Sequence, residues 1–130
     1  MVERNIEARR TAILAAISGA IAVAAAAFGA HAAASPQVAQ WLQTGGQYQL
    51  VHAVAVLVLL CGPGQTGPAR MLLGGSALFA ATLYAMAMGA PRSLGAVTPI
   101  GGLLMILGWL WAAWMLGRRA QKGSREGAEE

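Results

Sequence analysis

The chain has 130 residues, 57% of them hydrophobic and only 11% charged, and it carries a net charge of +4. The apolar share exceeds the roughly 45–50% of a soluble domain, and no Asp, Glu, Lys or Arg occurs between Arg10 and Arg70. Together these exclude an ordinary water-soluble globule and place the chain in lipid.

A hydrocarbon core about 30 Å thick needs roughly 20 apolar helical residues to cross it. Four segments meet or approach that length: residues 11–34, 46–61, 71–89 and 98–117. The chain is read as one domain over 1–130, an all-α membrane protein with four transmembrane helices in an up-down-up-down bundle. Arg9 and Arg10 ahead of an apolar run, with Ala32 to Ala34 after it, also allow a cleavable signal peptide. The uncharged stretch from Thr11 is longer than the about 7–15 apolar residues of such a peptide, so it is kept as the first helix.

Between the first two spans, Ser35 is a candidate helix cap, Pro36 follows it, and Val38, Trp41 and Leu42 recur at helical spacing. Residues 36–42 read as a short interfacial helix, after which the chain dives inward through Gly45 and Gly46. The alternative is a second helix that runs on from near Pro36. Cys61 closes this helix and has no second cysteine to pair with. Thr98 and Pro99 mark the start of the fourth helix, and Trp111 and Trp114 near Arg118 and Arg119 suit its headgroup level. Residues 118–130 are polar and mixed in charge, and read as a disordered tail.

Lys and Arg accumulate in short cytoplasmic loops. Four crossings place both ends and the middle loop on one side, with Arg4, Arg9, Arg10, Arg70, Arg118, Arg119, Lys122 and Arg125 there and Arg92 alone opposite. Both termini are therefore expected in the cytoplasm. The basic balance fits anionic lipid headgroups, and no nucleic-acid motif accompanies it.

Helices in lipid associate through small residues that let backbones approach. Ala15, Gly19, Ala22 and Ala26 form such a ridge on the first helix, and Ala77, Ala81, Ala85 and Gly89 a second on the third. Gly101 and Gly102 offer close approach to another helix or a ligand. These ridges are expected to meet neighbouring helices, a second copy or another membrane protein.

Polar residues inside apolar segments each need a partner. His31, Gln47, Tyr48, His52, Thr82, Tyr84 and Thr98 all fall at one end of the spans, in the outer leaflet on the expected topology. Trp41, Tyr48 and His52 share a helix face. The candidate ligand-binding set is His31, Trp41, Tyr48, His52, Tyr84 and Thr98. His31 and His52 are candidate metal or haem ligands, although a zinc site needs further ligands and a haem needs both rings facing one cavity. The structural reading has His31, Tyr48, His52 and Tyr84 bonding one another and nearby carbonyls. No cofactor is expected.

Catalysis has no positioned acid, base or activated nucleophile to rest on; Ser18 and Ser76 have no evident base. A channel or transporter would usually carry intramembrane carboxylates or charge pairs, and the sequence has neither. An accessory or interaction protein, working among membrane lipids with a membrane-protein partner or its own copies, is the first expectation. A module binding a small apolar ligand, metal or haem is the second.

The strings FGAH at Phe28–His31, WLQTGGQYQLVH at Trp41–His52, Leu83-Tyr84 and TPIGG at Thr98–Gly102 occur in order. In these the chain resembles the small multi-pass membrane proteins of the domain-of-unknown-function 423, or transmembrane protein 256, family, over about residues 15–116. The resemblance implies four helices and, for bacterial members, the inner membrane, and it implies no reaction. Its motif positions map onto His31, Trp41, Tyr48, His52, Tyr84, Thr98 and Pro99. The chain departs from the usual pattern at Ala25 and Ala26, where Leu and Gly are typical, and at Ala80 and Ala81, where Ser and Gly are common.

Overall fold

A computed structural model describes residues 2–62 and 64–126. Among them are four α-helices, α1 (Val2–His31), α2 (Pro36–Cys61), α3 (Thr66–Ala87) and α4 (Thr98–Glu126), with a 3₁₀ turn at Arg92–Ala96 before α4. All four are long and apolar enough to cross a membrane. The fold is all-α, as the sequence predicts.

The helix ends differ most from the sequence reading in three places, each with a physical cause, while α3 begins at Thr66 rather than 71 and α1 and α3 end two or three residues early. Residues 2–10 extend α1 backwards, because Glu, Ala and Arg are good helix formers and need only continue an existing helix. Residues 118–126 extend α4 in the same way, in place of a disordered tail; residues 127–130 lie outside the described residues. The third difference is α2, where residues 36–42 are no separate interfacial helix. One helix runs from Pro36 to Cys61, capped by Ser35, whose hydroxyl accepts from the Val38 N–H at 3.2 Å.

Gly45 and Gly46 do not break that helix because tight packing holds them there. A Cβ on Gly45 would lie 2.7 Å from the Tyr84 ring of α3, and one on Gly46 would lie 2.7 Å from the Ala22 carbonyl of α1. The adjacent glycines point to different neighbours, about 100° apart around α2. They seat α2 between α1 and α3.

Successive helices touch in opposite residue order. Gly19 of α1 faces Ala53, Ala22 and Ala26 face Gly46, and Gly29 faces Leu42. Along α3 and α4, Gly67 meets Trp111, Leu72 meets Gly108, and Gly75 meets Gly101 and Met105. A lesser contact joins α1 to α3. Ala15, Val56, Leu59, Ala69, Leu72 and Ala112, contributed by all four helices, form a common apolar core.

The α1 ridge meets α2, with Ala15 and Ala22 fully buried. The α3 ridge behaves differently, since Ala77 and Ala81 are exposed. A repeat of four drifts about 40° per step around a helix with 3.6 residues per turn, so it does not hold one face. Gly75, off that ridge, packs directly against Gly101, Leu104 and Met105 of α4. Gly101 lies against the Phe79 backbone, whereas Gly102 faces open space. Beyond α3, Gly89 adopts φ +99°, the left-handed conformation that terminates helices.

Candidate functional site

The sequence-predicted set separates into three places. The first is a buried polar junction between α1, α2 and α3. Gln49 Nε2 donates to Ser18 Oγ at 2.9 Å, and the Tyr84 hydroxyl donates to Gln49 Oε1 at 2.7 Å. One side-chain amide thus ties three helices. Gln49 and Ser18 are each 6% exposed.

The second place lies about one turn further along α2. His52 Nδ1 is 2.6 Å from the Tyr48 carbonyl, and Trp109 Nε1 of α4 donates to His52 Nε2 at 3.2 Å. A carbonyl only accepts and an indole N–H only donates, so these partners specify the neutral imidazole with its proton on Nδ1. Tyr48 stacks on His52 with 6.3 Å between ring centroids and packs against Phe79 at 4.9 Å. Tyr48 is 47% exposed. A shallow recess of about 220 Å³ lies between Gln47, Tyr48, Val51 and His52.

His31 occupies the third place, exposed at the corner between α1 and α2 beside Ser35, Pro36 and Ala39. Gly29 is level with Leu42, and His52 lies ten residues further along α2, a rise of about 15 Å. The two histidines therefore do not face one cavity, and the paired metal or haem arrangement is not built. The four-residue tie of His31, Tyr48, His52 and Tyr84 also divides: Tyr84 bonds Gln49, and His31 belongs to neither cluster. Among the described residues, no three His, Cys, Asp or Glu side chains gather to hold a metal.

The other predicted residues fall at the His31 end of the spans. Trp41 lies 6.0 Å from the Arg92 guanidinium, which faces its ring. The Thr82 and Thr98 hydroxyls are 2.8 Å apart and link the end of α3 to the start of α4. At the opposite end, Arg118 sits 4.4 Å over Trp114.

Gln49, Ser18 and Trp109 are central here, yet sequence reasoning passes over Gln49 and Trp109 and names Ser18 only as a hydroxyl without a base. A signal for Gln49 was available: Leu42, Gly45 or Gly46, Gln49, Ala53 and Val56 follow three- and four-residue steps along the buried face. The glycines identify that face, and Gln49 lies on it. Another buried amide, Gln65 at the start of α3, has no side-chain partner among the described residues.

The family model described as "Protein of unknown function (DUF423)" matches residues 25–102, which include both polar clusters apart from Ser18 and Trp109. The chain belongs to the DUF423 family. A membrane protein of Haemophilus influenzae named UPF0382 is 37% identical over 109 residues, covering 78% of this chain and 88% of its own length. The UPF0382 inner membrane protein YgdD of Escherichia coli K12 is 38% identical over 106 residues, covering 75% and 81%. A UPF0382 membrane protein of Staphylococcus saprophyticus is 35% identical over 106 residues, covering 75% and 88%. No solved structure matches the chain. This DUF423 chain is a small integral membrane protein, with an uncharacterised family and four spanning-length helices on which its polar clusters hang.

Proposed function

We propose that this protein is a non-enzymatic accessory component of the bacterial inner membrane, acting by association with another membrane protein or with its own copies. It crosses the bilayer in an up-down-up-down path with both termini and the α2–α3 turn in the cytoplasm. The observation that carries the reading is that the one buried histidine, the side chain best suited to acid-base work, is spent on its neighbours. Both nitrogens of His52 have partners, and the Gln49 amide accepts from Tyr84 and donates one N–H to Ser18. A general base needs a lone pair free to reach a substrate, and here the Trp109 indole occupies it.

Eight of the nine Lys and Arg residues fall on the proposed cytoplasmic side. The relatives named as membrane or inner membrane proteins support the location and suggest no reaction. Crosslinking in intact membranes, followed by native mass spectrometry after gentle extraction, tests the association. A partner or oligomer mass in stoichiometric amount is expected, and a monomer with no crosslinked product would reject it. Cys61 is exposed and has no cysteine partner, so it tests the topology. A membrane-impermeant maleimide should label it in inverted vesicles and leave it unlabelled in intact spheroplasts.

A further inference from the structure

Between α1 and α3 runs a groove of about 440 Å³, open sideways towards the membrane. Its size lies within the about 300–1,000 Å³ of small-molecule sites. Leu14, Ile17 and Ile21 of α1 form one wall and Leu73, Gly74 and Ala77 of α3 the other. Thr11 to Ile21 spans about 15 Å along the helix, so the groove runs from the membrane edge towards its middle. Two features make it more than a gap filled by lipid tails.

The first is its polar lining. Ser18 and Gln49 both border the groove. Gln49 gives one N–H to Ser18, which leaves the second N–H of its amide and the Ser18 O–H with no acceptor among the described residues. Two free donors in an apolar groove favour a ligand that brings an acceptor. An acyl chain has none below its ester, and a transmembrane helix spends its carbonyls on itself.

The second feature is the mouth, where Arg70 pairs with Glu7 at 3.5 Å. Arg70 is the one charged residue among the described residues lining the groove, and its pairing with Glu7 favours a neutral ligand over an anionic one. We infer that the α1–α3 groove binds a neutral, lipid-soluble molecule ending in a carbonyl acceptor, of the quinone class, with the carbonyl at Ser18 and Gln49 and the body between Ile17 and Gly74. This site is separate from the His52 cluster, and it stands whether or not the protein has a protein partner.

The test uses the full chain in phosphatidylcholine nanodiscs with labelled isoleucine methyl groups, titrated with decyl-1,4-benzoquinone. Ile17 and Ile21 report the groove, and Ile106, exposed on α4, reports simple partitioning into lipid. Saturable shifts at Ile17 and Ile21, with Ile106 unmoved, are expected. Gly74→Leu fills the groove from a position where an added Cβ meets nothing within 4 Å. It should weaken binding at least tenfold while leaving the melting temperature unchanged, and Ala77→Leu should act likewise. Decylbenzene, which has no carbonyl, should bind at least tenfold more weakly than the quinone. Equal shifts at Ile106, undiminished binding in both filled variants, or equal binding of decylbenzene would each overturn the assignment.

Discussion

The middle of α2 and the corner between α1 and α2 each hold one histidine, and the protein uses them in opposite ways. His52 is 6% exposed and engages a carbonyl on its own helix and an indole on α4. His31 is exposed at the helix end, apart from both polar clusters. Depth explains the contrast. A polar ring among spanning helices needs protein partners, because hydrocarbon offers none, whereas a ring at a helix end can reach headgroups and water.

The largest expected effect comes from attacking the packing that seats His52 and Gln49 between their neighbours. Gly46→Leu drives a side chain into the Ala22 backbone, and a backbone cannot rotate aside as a side chain can. The loss should reach about 3 kcal/mol, the upper end of overpacking costs, read by reversible unfolding in mixed micelles. At the corner, where Ala30 is exposed, Ala30→Leu should change stability by less than about 0.5 kcal/mol.

Gln49→Leu should come next. It removes two hydrogen bonds and leaves the Ser18 and Tyr84 hydroxyls to find new partners in an apolar setting. Interhelical bonds in membranes average about 0.6 kcal/mol each, so the expected loss is about 1–2 kcal/mol. Tyr84→Phe in the Gln49→Leu background should cost little more, because the bond it removes is already gone. Additive losses would show that the junction is not one unit.

These orderings bear on what the sequence makes legible. The four helices follow from charge-free length, because the bilayer imposes a minimum span and forbids charge within it. The α1 ridge is equally readable, since its steps of four and three hold one face. Gly45 and Gly46 mislead, as glycine weakens an isolated helix and also permits close packing of a supported one, and only the neighbours decide which effect wins. The polar set fails for a related reason. Sharing a level along the membrane does not bring side chains together unless they also point inwards, so His31 drops out while Gln49 and Ser18, on packed faces, enter. Trp109 escapes notice because a tryptophan within a span resembles lipid-facing bulk until its N–H finds His52.

The two histidines give the most direct comparison at moderate effect. His52→Leu should cost about 1 kcal/mol, within the range measured for membrane hydrogen bonds, and His31→Leu less than about 0.5 kcal/mol. Trp109→Phe tests the cause: if the indole bond is the tie, the His52→Leu, Trp109→Phe double variant should show a coupling of about 0.6 kcal/mol. No coupling would mean that His52 stabilises the protein through its bond to the Tyr48 carbonyl and its stack on the Tyr48 ring, without the indole.

The smallest effect is expected where charge meets water. Glu7 and Arg70 approach to 3.5 Å, with their side chains 55% and 60% exposed. Solvent screens such a pair, and the side chains lose freedom in holding it, so exposed pairs contribute about 0–1 kcal/mol. Glu7→Gln should therefore lower stability by no more than about 0.5 kcal/mol, and the difference should vanish at about 1 M salt, where the screening length falls to about 3 Å. Gln49→Leu should keep its full cost at the same salt concentration, because a hydrogen bond between buried neutral groups is beyond the reach of mobile ions. If the two variants respond to salt alike, the distinction between a water-facing mouth and a dry junction fails.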